Sequence, residues 1–163
     1  MFEQNFGIGV GAGEYESSLT GSFLTTQPSQ KELRVWIDFL FRNSYKRFAY
    51  ENRFRIEHRY NTSGTPNRIR YRPVFTASIS KPRLTDNTLF FISTNDAFFG
   101  PNHPTFELNM LYLGLGYKMD RNFTFCAGNM NLYDFTKKSN RSSNYLYLML
   151  VCELTSRSHD RPL

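Results

Sequence analysis

FAYENRFRIEHRY at residues 48–60, NTSGTP at 61–66 and NRIRYRPVFTASIS at 67–80 carry the pattern from which the fold is read. Phe48, Tyr50, Asn52, Phe54, Ile56, His58 and Tyr60 alternate with Ala49, Glu51, Arg53, Arg55, Glu57 and Arg59. After the turn formers of 61–66, Ile69, Tyr71, Phe75, Ala77 and Ile79 alternate with Arg68, Arg70, Arg72, Thr76, Ser78 and Ser80. A period of two belongs to a β-strand whose two faces meet different surroundings. On a helix, charges two apart would step by about 200° and leave no apolar stripe. The segment therefore reads as a β-hairpin with one apolar face and one face carrying a ladder of Arg and Glu.

Two classes of protein use such a hairpin in opposite senses. In a soluble lipocalin-like barrel that binds an apolar ligand, the apolar face is inside and the charged ladder is in water. In an outer-membrane barrel the apolar face meets lipid and the ladder fills the lumen. Alternation alone does not choose between them.

The same texture extends in both directions. At 6–16, Gly7, Gly9, Gly11 and Gly13 alternate with Ile8, Val10 and Ala12, so one strand face is left open for close approach or for bulky partners. At 32–42, Leu33, Val35, Ile37, Phe39 and Phe41 oppose Glu32, Arg34, Trp36, Asp38 and Arg42. Strands follow at 88–99, where the pattern is mixed, at 108–118, 123–133 and 144–154. At 108–118, Leu111, Leu113, Leu115 and Tyr117 oppose Met110, Tyr112, Gly114, Gly116 and Lys118. Short connections at 43–47 and 119–122 contrast with long ones at 17–31 and 135–143, the alternation of turns and loops found in outer-membrane barrels. The expected architecture is all-β: an antiparallel up-and-down transmembrane β-barrel of about eight strands, with room for further strands before its N-terminus. One barrel domain is expected over 1–155, with a disordered tail at 156–163.

Bulk composition narrows the classes. The 163 residues contain no run near the roughly 18 to 20 apolar residues of a membrane helix. The 16 Phe and 10 Tyr suit a lipid-facing surface with aromatic girdles as well as an aromatic β core. The net charge of +6 arises from 20 Lys and Arg against 14 Asp and Glu, largely interleaved on strands, so no nucleic-acid surface is expected. Cys126 and Cys152 are compatible with a disulfide or with two free thiols, and their spacing does not match a zinc site. The opening MFEQNFGIGV has neither a basic start nor a continuous apolar core of a signal peptide. The expectation is that the protein is not exported or that this chain begins downstream of its true start.

ENRFRIEHRY and NRIRYR, then Asn95-Asp96, LYLGLGY at 111–117 and GNMNLY at 128–133 together resemble domain of unknown function 2490. The resemblance runs from about Val35 onward. It implies a Gram-negative outer-membrane β-barrel of a kind common in the Bacteroidetes, and it supplies a place and a shape rather than a reaction. The chain departs from the family pattern at Met110, where an Arg tends to precede LYxGLGY. It departs again at its end, which runs past the last strand to Leu163.

The candidate site is a lumen charge network of Arg34, Asp38, Glu51, Arg53, Arg55, Glu57, Arg59, Arg68, Arg70 and Arg72. A small barrel has an interior that side chains can just fill, and charges there must be paired. Glu51 and Glu57 are placed to neutralise neighbouring arginines, and Arg34 to pair with Glu32 or Asp38. A plugged, non-conducting lumen is expected, because open aqueous channels need about 16 to 18 strands. Leu33, Val35, Ile37, Phe39, Phe54, Ile56, Tyr71, Phe75, Leu111, Leu113 and Leu115 are expected to face lipid. No enzyme activity, cofactor or metal is expected. A lipid-modifying barrel enzyme would have to draw on His103, Asp96 and a loop serine, and no spacing supports that set. The expected partner is outer-membrane lipid around a monomer.

Overall fold

The computed structural model describes residues 3–17, 30–60, 67–101, 105–138 and 141–152. Its strands are β1 (Glu3–Ser17), β2 (Gln30–Tyr45), β3 (Phe48–Tyr60), β4 (Asn67–Ser78), β5 (Thr88–Phe99), β6 (Phe106–Lys118), β7 (Phe123–Asp134) and β8 (Ser142–Cys152). They form one sheet in chain order, each strand antiparallel to the next, with β1 and β8 as its two edges. The all-β, eight-strand, up-and-down reading of the sequence describes this sheet. The tail at 156–163, His103 and His159 lie outside the described residues.

Connections follow from local chemistry. The link expected at 43–47 shrinks to the two residues Lys46 and Arg47, because Asn43, Ser44 and Tyr45 continue pairing with Tyr50, Ala49 and Phe48. Lys46 takes the left-handed conformation, φ 51°, that so tight a reversal demands. The β4–β5 loop is anchored where Ile79 N–H donates to the Leu89 carbonyl at 2.8 Å. Asn87 completes it at φ 56°, a conformation that asparagine tolerates.

The two faces of the sheet are unlike. Among the described residues the buried apolar side chains are Phe90, Phe98, Tyr112 and Cys126, and they share their face with buried Glu32, Glu57, Thr88 and Asp96. Phe54, Ile56, Leu113 and Leu115 stand exposed on the other face. Side chains on the sheltered face reach past their neighbours. Arg68 of β4 meets Glu107 of β6 at 3.5 Å, and the rings of Tyr112 of β6 and Tyr147 of β8 are 5.3 Å apart. Contacts that skip a strand require the sheet to curl around this face, which is therefore the inner one.

The alternating glycines of β1 serve this inner face at one point. A methyl group on Gly11 would lie 2.6 Å from the indole of Trp36, so the missing side chain is what lets that ring lie on the strand. The phenyl ring of Phe90 covers Gly116 of β6 in the same way. Inside the sheet, large rings on one strand are matched by absent side chains on the next.

Candidate functional site

The inner face of β2–β6 holds eight arginines and six carboxylates, joined in five sets of ion pairs. Period-two alternation puts Arg34 and Asp38 of β2, Glu51, Arg53, Arg55, Glu57 and Arg59 of β3, and Arg68, Arg70 and Arg72 of β4 on that face. The structure brings all ten together there. Cross-strand register then selects partners. Asp38 lies opposite Arg55 and accepts two hydrogen bonds from it, at 2.8 and 2.9 Å. The same guanidinium lies 4.5 Å from the centre of the Trp36 ring. A bidentate pair stacked on an aromatic face uses both the charge and the plane of arginine.

Glu32 serves two arginines. Arg59 donates to both of its oxygens, and Arg34 approaches at 3.2 and 3.3 Å. Arg34 also lies 3.5 Å from Glu57 and 4.1 Å over the Tyr15 ring. Glu51 accepts from Arg42 at 2.5 Å and from Arg53 at 3.5 Å. The expected pairing of Arg34 with Glu32 is present. Asp38, offered as its alternative partner, belongs to Arg55 instead, because Asp38 and Arg55 are directly opposed.

Two further carboxylates complete the network. Asp96 of β5 is 4% exposed, and one of its oxygens accepts from Arg70 at 2.7 Å and from Arg72 at 2.6 Å. The β4–β5 pairing has a gap here: Tyr71 pairs with Ala97 and Val74 with Thr94, while Arg72 and Pro73 have no partner on β5. Pro73 lacks the N–H that a ladder requires, so the arginine–aspartate contact holds the strands together where the backbone does not. Glu107 reaches Arg68 through a β-bulge. Phe98 pairs with Leu108 and Phe99 with Phe106, which leaves Glu107 as the extra residue. A bulge re-aims the side chain it carries. Gly100 leaves the space that the Glu107 carboxylate occupies.

Apolar rings pack among these charges. Phe98 lies beneath both Arg68, at 4.2 Å, and Arg70, at 5.0 Å. Arg53 Nε, Arg68 Nε and Glu57 Oε1 are buried and make no hydrogen bond. The network is dense, locally paired and imperfectly satisfied. Removing one member of such a set leaves its buried partner uncompensated, which is costly.

The other residues weighed as sites lie elsewhere. His58 belongs to the outer face, where its Nδ1 meets Asn67 Oδ1 at 2.5 Å. Cys126 is buried, Cys152 is exposed, and both are free thiols. Among the described residues no cluster of three His, Cys, Asp or Glu has metal-holding geometry.

A family model described as "Protein of unknown function (DUF2490)" matches residues 2–143. No curated protein and no solved structure matches the chain.

Proposed function

The chain belongs to the DUF2490 family, and we propose that it functions as an outer-membrane β-barrel whose interior is plugged by its arginine–carboxylate network. The observation that carries this reading is the polarity of the sheet. Leu113 on the outer face is 46% exposed, while Glu57 on the inner face is 4% exposed. A soluble barrel would bury the first and solvate the second. A lipid environment reverses both preferences. The soluble lipocalin-like alternative requires the charged face outward, against the burial of Glu57, Asp96 and Glu32.

In this reading β1 and β8 pair with each other. They run antiparallel in an even-numbered meander, and each presents one row of unpaired backbone groups at an edge. Within hydrocarbon each such group costs several kcal/mol, so a membrane sheet must close. With eight strands the closed interior is a packed core rather than a pore. The proposed role is structural, or in binding or transport at the outer membrane, with surrounding lipid as partner and no chemistry of its own.

Refolding into detergent followed by reconstitution into lipid vesicles tests the proposal. The strands should resist trypsin in vesicles and lose that protection when the vesicles are dissolved and the protein is unfolded. A protein that stays soluble and monomeric without detergent would contradict it.

A further inference from the structure

The end of the sheet formed by the β2–β3, β4–β5 and β6–β7 connections carries, in the first two, four cations that pair with no carboxylate among the described residues. They are Lys46 and Arg47 of the β2–β3 turn and Lys81 and Arg83 of the β4–β5 loop. With Phe48, Pro82 and Thr85 they line an open cavity of about 440 Å³ whose surface is almost wholly apolar, so their charged heads lie at its rim. Cations gathered at the rim of such a cavity raise the local positive potential and favour an anionic group there.

Two of these cations are tied to backbone carbonyls. Arg47 donates to the Ile79 carbonyl at 2.9 Å and to the Ser78 carbonyl at 3.4 Å, which ties the turn to the loop. Lys81 donates one N–H to the Asp86 carbonyl at 2.5 Å and keeps its other donors. The Lys46 ammonium lies 5.1 Å from the centre of the Tyr45 ring. Phe48 belongs to the outer apolar face, stacked at 5.8 Å on Phe75, and is 52% exposed. The cavity therefore opens at the border where the apolar face ends and the charged turns begin. Lipid phosphates lie at that level of a membrane protein, and basic side chains there attract anionic lipids.

We propose that this cavity is a binding site for one anionic phospholipid. Lys46, Lys81 and Arg83 hold its phosphate, and Phe48 and Pro82 support the glycerol and the first acyl carbons. Arg47, committed to two carbonyls, is a positioning residue. The proposal rests on the membrane reading above, and its volume suits a headgroup-sized guest rather than a protein segment.

The test uses the full chain reconstituted in phosphatidylcholine vesicles with a minor fraction of phosphatidylglycerol, extracted gently and weighed with its retained lipid by native mass spectrometry. The wild type should retain one phosphatidylglycerol in preference to phosphatidylcholine. Lys46→Gln with Arg83→Gln should lower that retention by about five-fold for each cation removed. Lys137→Gln with Lys138→Gln, at the opposite end, should retain lipid as the wild type does. Equal retention by the Lys46/Arg83 variant, or equal retention of the two lipids, would overturn the proposal. So would displacement of the lipid by soluble glycerol phosphate at matched concentration, which would make the site one for free phosphate. Trypsin protection in the same vesicles reads insertion separately. Protein that inserts without lipid preference overturns the site alone, and protein that does not insert overturns the membrane reading with it.

Discussion

Arg55 and Asp38 stand directly opposite each other on β3 and β2, joined by two hydrogen bonds of 2.8 and 2.9 Å. Their side chains are only 12% and 17% exposed, on the face toward which the sheet curls. Paired ions sheltered from water cost little together and much apart. That asymmetry makes the pair a probe of how dry the interior is.

Asp38→Asn should destabilise the protein by about 3 to 5 kcal/mol, since Arg55 would keep its charge and lose its acceptor. Glu14→Gln, which removes an exposed partner of Lys31 at 3.6 Å, should cost about 1 kcal/mol or less. Urea unfolding in detergent compares the two. Equal, small losses would mean a hydrated interior that screens its charges.

A closed eight-strand barrel filled by these side chains would not conduct ions. Reconstituted in a planar bilayer, the wild type should give no large single-channel steps, because an eight-strand interior is filled by its own residues. Large, ion-selective steps would turn the arginines from a plug into a pore lining.

Leu113, exposed at mid-strand on β6, distinguishes lipid from water. Leu113→Arg should cost about 2 to 4 kcal/mol in a membrane, where a cation at the midplane is poorly solvated. On a surface facing water the same substitution should stay within about 0.5 kcal/mol. Folding yield and unfolding midpoint in vesicles give the answer.

Gly116→Ala should destabilise by about 1 to 3 kcal/mol, because its methyl group would enter the ring of buried Phe90. Phe90→Leu in the same chain should recover part of that loss. Thermal unfolding of the single and double variants reads the coupling, and additive losses would deny that the two residues share the space.

Strands were legible wherever the two faces differ in chemistry. The bounds of β3 and β5, Phe48–Tyr60 and Thr88–Phe99, coincide with those read from the sequence. The ten residues of the charge network were legible because Arg and Glu alternate with aromatic and aliphatic side chains on β2–β4. Arg42, Asp96 and Glu107 were not assigned to it, and Glu32 entered only as a possible partner of Arg34. On β5 the inner face mixes Thr88, Phe90, Asp96 and Phe98, since rings pack beneath arginine side chains there, and the alternation is blurred. Glu107 has the parity of the outer face and turns inward only through a bulge. Partner choice, such as Asp38 with Arg55 rather than Arg34, depends on cross-strand register, which one strand's sequence does not contain. Arrangement within each strand is a local property, whereas the network is a property of neighbours.

In the proposed barrel the apolar face meets lipid and the charged face does not. Spin labels at Phe54 and Leu113, with Lys138 as a water-exposed control, separate the two faces' surroundings in reconstituted vesicles. Labels at the first two sites should relax with oxygen dissolved in the bilayer and be shielded from a water-soluble nickel chelate, while the label at Lys138 should show the reverse. Labels at Phe54 and Leu113 that collide freely with the nickel chelate and are shielded from oxygen would put the apolar face in water and rule out the membrane barrel.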